Sequence, residues 1–185
     1  MNRGPVNNID DLKLSKSSIF SEIMHKNNRR MLKAFLTIMI IANISVTLIK
    51  ITGKGSQYLT YTTIAYEIVI ISVILIISEL LIRKRTGTIF SGYVTLTSIF
   101  ICLMIFQTAF FGAPELFAAN YIALTLSIFY FNPWLCIYSL ILVIAAQTAS
   151  FIYRPELIPG GPASNLIVRY IVYCMVGLGA TTGAS

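Results

Sequence analysis

The chain of 185 residues is 56% hydrophobic and only 11% charged, with a mean hydropathy of +0.78. A soluble domain is about one-quarter charged, so this composition excludes that class and indicates an integral membrane protein whose first partner is the lipid bilayer. The net charge of +7 does not point to nucleic acid, because the basic residues cluster beside apolar segments instead of lining an aromatic-interleaved surface.

Residues 1–30 read as a cytoplasmic polar tail. Within it Ile19 and Ile23, and Phe20 and Met24, recur at i+4 beside His25, Lys26, Arg29 and Arg30. That pattern suits an amphipathic interfacial helix on the inner leaflet, and a partly ordered tail with a basic stop suits it equally. His25 is the only histidine and has no cysteine, histidine or acid clustered around it, so it reads as a solvated flank and no metal site is expected. The stretch lacks the apolar core and small-residue cleavage site of a signal peptide.

Residues 31–185 read as one all-α transmembrane domain. Crossing about 30 Å of hydrocarbon takes about 20 apolar residues, and about six such segments fit. The first runs from about Met31 to Ile51, carries Asn43, Thr47 and Lys50 on one face, and leaves the membrane at Thr52–Gly53–Lys54–Gly55. The second, about Tyr58 to Ile82, aligns Thr60, Thr63 and Glu67 and ends at Arg83–Lys84–Arg85, with Glu79 placed for a surface-level ion pair.

The third span, about Ile89 to Phe111, has Gln107 near its outer end. Pro114 and Glu115 then read as the first turn of the fourth, since proline suits N1 and a carboxylate suits the positive end of the helix dipole. That span reaches about Phe131 and bears Asn120 and Tyr121. Asn132 is placed to cap the fifth span, about Trp134 to Tyr153, which carries Gln147 and Ser150. Arg154–Pro162 is the longest outer loop and the best turn signal.

The last stretch, Asn165 to Ser185, holds an arginine in an otherwise apolar segment, and Asn165, Arg169, Tyr173 and Gly177 recur at i+4. A charge inside a span costs about 2.5–3.5 kcal/mol at the bilayer centre and less near an interface, so Arg169 needs a partner or a job. Glu67 is the obvious partner, and the chain is expected to be organised around this helix. Gly179 and Gly183 form a small-xxx-small pair suited to close packing, and a homo-oligomer through the sixth helix is expected. No lysine or arginine marks the inner boundary after it, the pattern of an excised amino-terminal region whose last helix continues into a cytoplasmic part.

Basic flanks set the orientation. Lys26, Arg29, Arg30, Lys33, Arg83, Lys84 and Arg85 fall inside, against Lys50, Lys54 and Arg154 outside, so both termini of this multi-pass membrane protein are expected in the cytoplasm. Asn43, Glu67, Gln107, Asn120, Gln147 and Arg169 then lie in the outer halves of six different helices, with Tyr173 one turn beyond Arg169. One product is an outward-facing pocket for an unidentified small molecule. The other is hydrogen-bonded glue between helices, at about 1 kcal/mol each, with Arg169 snorkelling.

Enzymatic signatures are missing: no aspartate follows Asp11, and there is no nucleophile elbow, zinc-protease pair, dinucleotide fingerprint or phosphate loop. No catalytic residue and no cofactor is expected. Cys102, Cys136 and Cys174 lie in different apolar segments and read as packing residues.

The His25–Lys26–Asn27–Asn28–Arg29–Arg30 run, the Phe131–Asn132–Pro133–Trp134 inner turn, and Leu157–Ile158–Pro159–Gly160–Gly161 leading to Arg169–Tyr170 resemble the six-helix amino-terminal sensor regions of bacterial methyl-accepting chemotaxis-type receptors and related signal transducers. The resemblance implies a sensor and membrane anchor joined to a signalling output, without naming a stimulus. The competing expectation is a six-helix substrate-binding subunit of a vitamin or metabolite importer, which fits the length and pocket but lacks an Ala-x-x-x-Ala docking face in its first span.

Overall fold

The computed structural model describes residues 7–53, 59–84, 87–110, 118–153 and 163–184, and the side chains of 18–152 and 167–184 within them. Among these residues every regular element is helical: α1 (Asn7–Ile51), α2 (Tyr61–Lys84), α3 (Ile89–Ala109), α4 (Ala119–Ser127) with a 3-10 turn (Ile128–Tyr130), α5 (Pro133–Tyr153) and α6 (Ala163–Gly183). Four helical segments are long and apolar enough to cross a membrane: Ser18–Ile51, Tyr61–Lys84, Ile89–Ala109 and Pro133–Ile152. Ala119–Tyr130 and Ile167–Gly183 are shorter apolar helices. The proposed Pro114–Glu115 helix start, the Arg154–Pro162 loop, Lys54, Arg85 and the side chain of Asn165 lie outside the described residues.

The expected polar tail or interfacial helix is not separate from the first span. α1 runs unbroken for 45 residues, about 67 Å at 1.5 Å per residue. Its sequence holds neither glycine nor proline to stop it, and one buried stripe crosses the expected boundary at residue 30: Met24, Asn28, Met31, Phe35 and Met39 recur at i+3 and i+4 and are all buried. Met24 of the amphipathic patch faces the bundle, while Ile19, Phe20 and Ile23 face out.

The central helix is α3, which packs on α1, α2, α4 and α5. Half of its apolar window is buried, against 11% for α1. The sequence points to α6 as the organiser because it carries an arginine, but a charge restricts a helix to positions where that charge can be solvated or paired. α3 has no charged residue, and its small and hydroxyl side chains, Ser91, Gly92, Thr95 and Ser98, admit neighbours closely while satisfying their own hydroxyls on the backbone; Thr95 Oγ1, for example, donates to Ser91 O at 2.8 Å. α6 sits to one side against α5 and α4, and α2 against α3 and α1. The hydrogen bonds fix the alternating up-and-down order. Asn28, Ser91 and Tyr130 meet at one end of α3, and Gln107 meets Asn120 at the other, about 24 Å away along the helix.

Two turns show how the chain reverses at the Asn28 end. Gly87 has φ +77°, and a Cβ there would overlap the Ser21 hydroxyl, so glycine is required both by conformation and by the approach of α1. Thr88 then caps α3, accepting from Ser91 N at 3.3 Å. Phe131 closes the other turn at φ +48°, and Asn132 caps α5 as expected, its Oδ1 accepting from Trp134 N at 2.9 Å. The outward faces of the long helices are apolar, with Ile41, Ile44, Val69, Ile76, Ile141 and Leu178 all exposed, a surface suited to lipid.

Candidate functional site

The polar residues expected to lie in the outer halves fall into two groups rather than one. The first joins three helices. Gln107, near the end of α3, donates from Nε2 to Asn120 Oδ1 at 3.1 Å, and Asn120, at the start of α4, donates from Nδ2 to the Tyr173 hydroxyl of α6 at 3.4 Å. Asn120 and Tyr173 are fully buried, and the Tyr121 ring tilts against Tyr173 at a centroid distance of 5.0 Å. Arg169 is half-buried one turn before Tyr173 and acts electrostatically on both tyrosines. Amide, phenol and guanidinium groups from α3, α4 and α6 thus converge, a set suited to recognition by hydrogen bond and charge.

The second group lies between α1 and α2. Glu67 is 2% exposed, with Asn43 of α1 beside it and Cys102 of α3 within its field. Asn43 Nδ2 donates to Met39 O at 3.1 Å within its own helix. Among the described residues, Asn43 Oδ1 and both Glu67 carboxylate oxygens make no short hydrogen bond, and the Asn43 amide is the donor that acts on the carboxylate from beside it. A small cavity of about 260 Å³ lined by Asn43, Thr47 and Ile68 adjoins them.

Glu67 and Arg169 form no ion pair. Their helices are not among the pairs that pack substantially, and each charge acts on different neighbours. Helical period places residues on a face but does not say which helices adjoin, and here α3, α4 and α5 intervene. Gln147 of α5 is buried, and next to it Thr148 shares a hydrogen bond of 2.6 Å with the Tyr170 hydroxyl of α6. The surface ion pair expected for Glu79 is present, at 3.1 Å to Arg83.

One polar cluster was missed. Asn28 is completely buried, donating from Nδ2 to Ser91 Oγ at 2.7 Å and accepting from the Tyr130 hydroxyl. The signal lay in its register with Met24, Met31 and Phe35, hidden by its basic neighbours. Of the small residues in α6, Gly177 is used inside the molecule: a Cβ there would meet Leu140 of α5 at 2.8 Å. Gly179 and Gly183 have nothing within 4 Å of that position. No family model, no curated protein and no solved structure matches the chain.

Proposed function

We propose that the chain is the sensory module of a bacterial signal transducer, crossing the inner membrane six times with both ends in the cytoplasm. A small molecule arriving from outside binds at Gln107, Asn120, Arg169 and Tyr173, and the sixth helix carries the response to a cytoplasmic output. The observation that supports this reading is the Gln107–Asn120–Tyr173 hydrogen-bonded chain, because it ties α6 to α3 and α4 through groups that a polar ligand can compete for. A ligand that takes over Asn120 or Arg169 releases Tyr173 and biases the position of α6. Such a ligand shifts the helix only by as much as it prefers one arrangement over the other. Self-association through the open Gly179 and Gly183 face of α6 fits the same role.

The test is a thermal-shift screen of the detergent-solubilised protein against small carboxylates, amines and zwitterions. A ligand at 100 times its Kd stabilises by about 2.7 kcal/mol, a clear shift for a protein of this size. The expected result is a solute that raises the Tm of the wild type but not of Asn120→Leu or Arg169→Gln. A shift retained in both variants places binding elsewhere and rejects the reading.

A further inference from the structure

α1 and α2 each pack on α3 more than on each other, and toward their basic ends this leaves an open groove of about 580 Å³ between them. Its rim is cationic. Arg29 and Lys33 stand one turn apart on α1, and Arg83 faces them from α2. Glu79 is the single acid in the lining and is engaged by Arg83 at 3.1 Å, so three cations less one carboxylate leave two positive charges. Below the rim the walls are apolar, with Leu36 on α1 and Leu75 and Ile76 on α2. From Arg83 down to Ser72 the groove follows α2 for about 16 Å. That is about half of the 30 Å hydrocarbon core, the depth of one leaflet.

We propose that this groove binds an anionic glycerophospholipid of the inner leaflet, with its phosphate at Arg29, Lys33 and Arg83 and one acyl chain along Leu36, Leu75 and Ile76. The inference rests on the membrane-spanning reading with the basic flanks inside, and is independent of the outer ligand site. Charge selects the headgroup: a zwitterionic lipid brings its own cation beside the phosphate and leaves the net positive charge of the rim uncompensated. Shape selects a lipid over a soluble anion, because a free phosphate leaves the apolar channel below it unfilled. Basic pockets between membrane helices on the cytoplasmic side recognise lipid headgroups in this way. The lipid acts as a wedge between α1 and α2.

The experiment uses the whole chain in a neutral detergent, stripped of lipid and then exposed to phosphatidylglycerol, to phosphatidylcholine of the same acyl chains, or to glycerol 3-phosphate. Bound lipid is counted by native mass spectrometry and stability by Tm. Phosphatidylglycerol should be retained and raise the Tm, and the other two should do neither. The triple variant Arg29→Gln, Lys33→Gln, Arg83→Gln should lose retention by roughly tenfold or more. The control triple Lys26→Gln, Arg30→Gln, Lys84→Gln removes the same charge from exposed positions outside the groove and should retain the lipid. Leu75→Trp, which fills the channel with the rim intact, should also lose it. Equal loss in both triples means diffuse attraction, equal retention of phosphatidylcholine means an unselective apolar groove, and displacement by glycerol 3-phosphate means a soluble anion site; each overturns the proposal.

Discussion

Tyr130 donates its hydroxyl hydrogen to Asn28 Oδ1, closing a contact between residues 102 apart in sequence at a point where both side chains are buried. The same asparagine donates to Ser91 Oγ at 2.7 Å, so one side chain ties α1 to the start of α3 and to the turn after α4. Loss of one member leaves the others buried and unsatisfied, which costs about 1–3 kcal/mol. Tyr130→Phe and Asn28→Leu should each lower the midpoint of thermal or denaturant unfolding in detergent by an amount in that range. The double variant should cost clearly less than the sum, because the first change already removes the partner. Additive losses would show that the contact carries no coupling.

Gly87→Ala should be more damaging than its position in a short turn suggests. It forces a side chain onto φ +77° and drives a Cβ to 2.7 Å from Ser21 Cα, a backbone atom that cannot rotate away. A loss of at least about 1–3 kcal/mol is expected. Ser21→Ala alone should be near neutral and should not rescue Gly87→Ala, as read from Tm and yield of monodisperse protein.

The helices were legible because apolar runs bounded by Arg83–Lys84 or by Asn132–Pro133 leave few alternatives for a chain this poor in charge. The Gln107, Asn120 and Tyr173 group was legible as a level, since alternating helices bring the end of one span to the start of the next. Asn28 was not, because a polar residue among Lys26, Arg29 and Arg30 looks solvated until the stripe through Met24 and Phe35 is followed across it. The neighbour relations of α2 and α6 were not legible either. They depend on how helices of similar length and apolarity tile around α3, and no periodicity records that.

The orientation can be checked by cysteine accessibility in a background where Cys102, Cys136 and Cys174 are replaced by alanine. With both ends inside, Ser164→Cys should react with a membrane-impermeant maleimide in intact cells, and Thr86→Cys should react only after permeabilisation. The reverse pattern would invert the topology and move the cationic groove to the outer leaflet.

Gly179→Leu with Gly183→Leu should weaken self-association of the chain in detergent without lowering its Tm, because both positions face open space within the monomer. Gly177→Leu is the contrast, since the new side chain meets Leu140 and should destabilise the fold itself. Sedimentation or cross-linking reads the first effect and thermal unfolding the second. An unchanged oligomeric state in the double glycine variant would remove α6 as the interface.

Glu67 and Arg169 provide the sharpest contrast between what residue types suggest and what the packing does. A pair would make both Glu67→Gln and Arg169→Gln destabilising, with strong coupling between them, since breaking a buried ion pair typically costs about 3–5 kcal/mol. The structure instead sets Glu67 against Asn43, whose amide is the donor beside the carboxylate and whose Oδ1 is buried without a hydrogen-bond partner among the described residues. Glu67→Gln removes the buried charge, keeps an oxygen to accept from the Asn43 amide, and adds an Nε2 donor of the kind Asn43 Oδ1 lacks. This variant should therefore raise stability, by about 1 kcal/mol. Arg169 acts on Tyr121 and Tyr173 in a group separated from Glu67 by intervening helices, so the two changes should add to within about 0.5 kcal/mol. The check is a double-mutant cycle on Tm or denaturant midpoint in detergent. A destabilising Glu67→Gln, together with coupling well above that margin, would mean that the two charges communicate and that these polar groups form a single site after all.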